Sequence, residues 1–114
     1  MKYKWSIIRT GAKAVWDAQT LSEKPELNGM QEAVGGYIEN IPKNWLKKGV
    51  KVMYVNEEGR MYDLPPNPVA STLLNNGELL VGDVLVQWHV TMGLADVLPT
   101  GGMDMPVEGE YIGE

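Results

Sequence analysis

The segment Met30-Gln31-Glu32-Ala33-Val34-Gly35-Gly36-Tyr37-Ile38-Glu39 (MQEAVGGYIE) decides how the fold is read. On its N-terminal side apolar residues recur at helical spacing. Leu27, Met30 and Val34 fall at i, i+3 and i+7, one face of a short amphipathic helix. On its C-terminal side Tyr37-Ile38-Glu39-Asn40-Ile41 reads as a strand. Gly35 stands where helices commonly end in a left-handed conformation that glycine adopts at little steric cost. Gly36 then lets the chain turn directly into the strand. A glycine pair can instead cradle a phosphate, because it lets backbone N–H groups approach an anion. Such loops precede a helix, whose N-terminus offers free donors and positive potential. These glycines follow one, and neither G-x-G-x-x-G nor G-x-x-x-x-G-K-[ST] is present. The pair is therefore architecture, closing a helix over about 25–35 that Pro25 and Glu26 open.

Upstream, Tyr3, Trp5 and Ile7 alternate with Lys4, Ser6 and Ile8, a strand-like period of two that Thr10-Gly11 ends. Residues 11–24 offer Trp16 and Leu21 as contacts and little support for a second strand. Downstream, Pro42 to Gly49 reads as a connection that tucks Trp45 and Leu46 onto the core. Val50 to Asn56 (VKVMYVN) is the clearest strand in the chain. Asn56-Glu57-Glu58-Gly59 then suits a type I turn, so Arg60 to Leu64 is predicted to return as the partner strand of a hairpin.

The three prolines of Leu64-Pro65-Pro66-Asn67-Pro68 remove backbone donors and take the chain out of the sheet. Asn67 is predicted to cap a short helical turn, about 68–74, that includes Val69, Ala70 and Leu73. Asn75-Asn76-Gly77 is a tight turn, and Leu79 to Val90 is a long apolar strand or strand pair around Gly82-Asp83. The expected fold class is α+β: a mainly antiparallel β-sheet with one principal helix. Residues 1–92 form the single domain, and residues 93–114 an acidic C-terminal tail containing Gly and Pro.

With 114 residues the chain can bury one modest core. It has no Cys, which excludes disulfides, thiolate nucleophiles and thiolate metal sites. No run approaches the roughly 20 apolar residues of a spanning helix. The apolar part of the N-terminus is too short for a secretory signal, so the bacterial cytoplasm is the expected location. The net charge of −5 is unevenly spread. All ten Lys and Arg lie at or before Arg60, against seven acidic residues there, while residues 61–114 carry eight acidic groups and no basic one. That half repels phosphate, which weighs against nucleic acid and favours basic partners.

The pattern Met30 to Glu39, then Val55-Asn56-Glu57-Glu58-Gly59, then Leu64-Pro65-Pro66-Asn67 with Ala70, then Gly82-Asp83 before an apolar strand, resembles a family of small proteins of unknown function. Its members are carried by bacteriophages, plasmids and other mobile elements of bacteria. The likeness spans roughly residues 25–86. It implies a compact α+β domain in a phage-like context and supplies no activity or catalytic residue. Pro68 departs from the basic residue that members often carry after the Asn.

Candidate catalytic groups do not assemble into a pattern. His89, the sole histidine, has neither a Ser nucleophile nor a second His at useful spacing. Glu57 and Glu58 read as solvated turn residues. No twelve-residue calcium loop is present. No catalytic residue, cofactor or metal is therefore assigned. The candidate ligand-binding residues are Tyr37, Tyr54 and Tyr62, whose rings supply flat, half-polar walls, with Arg60 and Asn67 beside the LPPN segment. The expected function is a non-catalytic phage or mobile-element accessory protein that binds a host protein or a small ligand and counters host defence. It is expected to self-associate through an edge strand. The alternative is a nucleic-acid-binding accessory protein using Lys2-Tyr3-Lys4-Trp5 and Trp45-Leu46-Lys47-Lys48 of the basic half.

Overall fold

A computed structural model describes residues 3–89; the tail expected at 93–114 lies outside them. Five strands and two helices follow one another: β1 (Tyr3–Ile8), β2 (Gln19–Thr20), α1 (Leu27–Val34), β3 (Ile38–Asn40), β4 (Val50–Asn56), α2 (Pro68–Ser71) and β5 (Val84–His89). The strands form one sheet in the order β2-β1-β5-β4-β3. Every pairing is antiparallel. The α+β architecture, the principal helix and the short turn after LPPN are as the sequence predicts.

The sheet buries both faces, because apolar residues alternate to both sides. Against α1 lie Trp5 and Ile7 of β1 and Leu85 of β5, with Met30, Ala33 and Val34 from the helix itself. The opposite face carries Ile8, Met53, Val55, Val84, Val86 and Trp88, covered by Leu46, Ala70, Leu73, Leu74 and Leu80 from the irregular segments. Side chains as fully buried as Ile8, Met53, Leu73 and Leu85 each contribute about 1.5–3 kcal/mol by leaving water. An irregularity between Val50 and Val52 breaks the register with β5. It re-phases β4, so that Val50 joins Met53 and Val55 on one face while Val52 and Tyr54 pack toward α1. On the covered face, Ser6 is fully buried and its hydroxyl accepts the Trp88 indole N–H at 3.1 Å.

Several expectations are corrected. Leu27 is 57% exposed; the buried face of α1 is Met30, Ala33 and Val34, so the apolar stripe that packs on the sheet begins one turn later than the spacing suggests. A two-residue β2 does form, paired with β1, while Trp16 stays exposed. The strand predicted at 60–64 does not form. Both sides of β4 are already occupied, by β3 and β5, so no edge is left for a hairpin partner. Residues 57–63 instead wind through successive turns. Last, of the long strand or strand pair expected around Gly82-Asp83, the single long strand does not form within the described residues: β5 begins at Val84, Val81 bridges Pro66, and Val90 lies outside them. Gly82 turns the chain between the two, at φ +80 and with its Cα so close to Leu64 that a Cβ would lie 2.8 Å from Cδ1.

Candidate functional site

The MQEAVGGYIE segment and the end of β4 meet to form a recess. Gly35 closes α1 in the left-handed region, φ 80°, donating its N–H to Gln31 O at 2.8 Å. Beneath it Asn56, the last residue of β4, is buried. Its amide donates to Val34 O at 3.2 Å, and its Oδ1 accepts the Glu58 N–H at 2.8 Å. One side chain thus ties the helix end to the turn beyond the strand. Gly36 lies against this amide, and a Cβ there would approach Asn56 Nδ2 to 2.8 Å. Glycine at 36 is therefore required by contact with Asn56, and glycine at 35 by its dihedral angle.

The turns after β4 shape the outer wall. Tyr62 N–H donates to Glu58 O at 3.0 Å and Leu64 N–H to Gly59 O at 3.0 Å. Asp63 takes a left-handed φ of 58°, a conformation that Asp tolerates better than most residues. This winding brings Tyr62 to line, with Tyr37, a recess of about 290 Å³, also lined by Gln31, Asn56, Glu58 and the two glycines. Tyr37 and Tyr62 are 65% and 63% exposed. On the far side of Glu58 a second recess of about 270 Å³ opens, with Ile41, Val55 and Leu80 in its base and Trp45, Met61 and Arg60 around it. Glu39, Glu57, Glu58 and Glu78 also line it.

The five candidate residues separate. Tyr37 and Tyr62 share the first recess, and Arg60 lines the second. There the guanidinium donates to Leu79 O at 2.6 Å and lies 4.0 Å from Glu78. Tyr54 stands elsewhere, stacked on Trp5 at 6.3 Å between ring centroids. Asn67 is 0% exposed. Its amide donates to Ile8 O and Gly82 O, each at 2.9 Å, and its Oδ1 accepts the Ala70 N–H at 3.0 Å as the cap of α2. Its side chain is committed to backbone. His89 lines neither recess and meets Tyr3 edge to face at 5.1 Å.

Asn56, Glu58 and Gln31 escaped the sequence reading as site residues. A signal was present: Asn two residues before an N–H it accepts is an Asx turn, and NEEG is such a segment. What it could not disclose is that the amide would also reach across to Val34.

Electrostatically the region favours cations. The C-terminal, negative end of α1 points here, and among the described residues Glu39, Glu57 and Glu58 have no ion-pair partner. Tyrosine faces, amide groups and a carboxylate can hold a ligand by stacking and hydrogen bonds. Among the described residues no cluster of three or more His, Asp or Glu is arranged to hold a metal ion.

A family model matches residues 7–94. The chain belongs to DUF3846, a domain of unknown function. The DUF3846 match takes in every element from within β1 to β5, and both recesses. No curated protein and no solved structure matches the chain significantly. No described helix is long and apolar enough to cross a membrane.

Proposed function

We propose that this DUF3846 domain is a non-catalytic binding module, carried by a phage or other mobile element, that engages a host protein or small ligand through the Tyr37–Tyr62 recess. The observation that carries the reading is the pair of tyrosines, both about two-thirds exposed, lining one recess with Gly35, Gly36 and Asn56, where the Asn56 amide is hydrogen-bonded to both Val34 O and the Glu58 N–H. Exposed aromatic rings on a preorganised support are the usual anchors of recognition surfaces. Antagonism of host defence suits such a module in a mobile element, and residence in the bacterial cytoplasm and self-association through an edge strand belong to the same reading.

The test compares wild type with the Tyr37→Ala/Tyr62→Ala double variant, purified from bacterial lysate and analysed by native mass spectrometry and affinity capture. A bound metabolite or enriched protein present for wild type and lost for the variant is expected. Identical profiles for the two proteins refute the assignment.

A second reading, nucleic-acid binding by the basic half, draws support from the placement of lysines over aromatic rings. Lys51 Nζ sits 4.6 Å from the Tyr3 centroid and Lys4 Nζ 5.9 Å from that of Trp88. It requires binding of labelled single strands that weakens steeply with salt; no shift at low salt eliminates it.

A further inference from the structure

The two recesses share Asn56 and Glu58, and both adjoin β3, which ends the sheet. Tyr37 O accepts the Glu57 N–H at 2.8 Å, and Ile41 N–H donates to Met53 O at 2.9 Å. In an antiparallel pair, residues alternate between turning their backbone groups toward the neighbour and away from it. Ile38 and Asn40 therefore direct their N–H and C=O groups outward from the sheet. The edge has a distinct chemical setting. Glu39, Glu57, Glu58 and Glu78 surround the second recess, and the only cation lining it among the described residues, Arg60, is engaged by Leu79 O and Glu78. Its base is apolar, and Met61 beside it is exposed.

We propose that β3 accepts an extended, cationic segment of a partner protein as an added strand. This rests on the binding-module reading and names the partner's chemistry. Backbone groups of Ile38 and Asn40 supply the main-chain bonds. Side chains of the incoming segment alternate between the two faces of the sheet. On one face, lysine or arginine meets Glu39, Glu57 and Glu78 while intervening methylenes lie on Ile41, Val55 and Met61. On the other, side chains reach the tyrosine recess at the negative end of α1. A basic segment is selected because it complements Glu39 and Glu57, which have no ion-pair partner among the described residues, and Glu78, which is shared with Arg60 at 4.0 Å; an acidic one is repelled.

The experiment uses the full chain and fluorescence anisotropy with a short labelled peptide of alternating leucine and arginine. Its controls are the glutamate-for-arginine twin, a version N-methylated at alternate backbone nitrogens, and free spermidine. The basic peptide is expected to bind, more weakly as salt rises. Neutralising the exposed carboxylates together (Glu39→Gln/Glu57→Gln/Glu78→Gln) weakens it about tenfold, and N-methylation on the pairing side weakens it at least as much. Equal binding of the acidic twin, indifference to either change, or displacement by spermidine at matched concentration overturns the proposal. If the triple variant binds the peptide like wild type while the Tyr37→Ala/Tyr62→Ala variant still loses its lysate ligand, this inference falls and the binding module stands. If the peptide binds as expected but the tyrosine variant loses nothing from lysate, the tyrosine assignment falls instead.

Discussion

Replacing Asn67 by Ala and by Asp separates two roles that one side chain combines. Its carboxamide accepts the Ala70 N–H, capping α2, and donates to Ile8 O and Gly82 O. The cap is worth about 1 kcal/mol. Each carbonyl deprived of its donor in a fully buried site costs about 1 kcal/mol at the low end of the usual range. Asn67→Ala should therefore destabilise the domain by about 3 kcal/mol, and for a chain of this size that lowers Tm by about 12–24 °C. Asn67→Asp keeps the acceptor and, as a cap, is as good as Asn. It has no donor, however, and it places a buried carboxylate against two carbonyl oxygens, so its loss should equal or exceed that of Asn67→Ala. Thermal and urea denaturation followed by circular dichroism measure both. An Asp variant as stable as wild type would show that capping alone matters and would refute the bridging role. An Ala variant of unchanged Tm that had lost ligand binding would return Asn67 to the site.

Gly36→Ala should cost about 1–2 kcal/mol, since its Cβ would press to 2.8 Å from Asn56 Nδ2. Gly11→Ala, with nothing within 4 Å, should leave Tm within about a degree or raise it. Asp83→Ala should destabilise more than Arg9→Ala. Asp83 accepts both the Arg9 guanidinium at 3.0 Å and the Thr10 N–H at 2.9 Å, whereas the ion pair by itself is exposed and worth under about 1 kcal/mol; chemical denaturation of the two variants decides. Burial holds the Lys47 pKa below its usual 10.5. The folded state thus penalises the charged amine below that lowered pKa, and the penalty disappears as pH rises toward 10.5. Lys47→Gln should reduce the rise in stability between those two values, measured by urea denaturation across the alkaline range.

The elements were legible where periodicity had one meaning. Tyr3–Ile8, Val50–Asn56 and the helix before Gly35 declared themselves by spacing, and Asn67-Pro68 by its capping chemistry. What was hidden depended on neighbours far along the chain. Arg60 to Leu64 is alternating enough to be a strand, yet whether it pairs is settled by β5, which occupies the side of β4 a hairpin needs. Gly36 looked like simple freedom to turn; its reason is a side chain twenty residues later. For the recess, two of the candidate tyrosines meet and the third stacks on Trp5, because residue type marks a ring but the register of strands chooses its face.

Strand β5 lies between β1 and β4, with Tyr3 opposite His89 and Tyr54 opposite Leu85. A nascent chain therefore exposes two unjoined pairs, β2 with β1 and β3 with β4, until Val84–His89 emerges from the ribosome. Neither pair on its own is expected to persist in water. The last strand synthesised is the one that unites the sheet, so the domain should acquire its structure in a single late step and relatively slowly, as contacts spanning nearly the whole described chain require. Stalling translation before Val84 should leave a protease-sensitive product, and the released chain that includes Val84–His89 should be resistant.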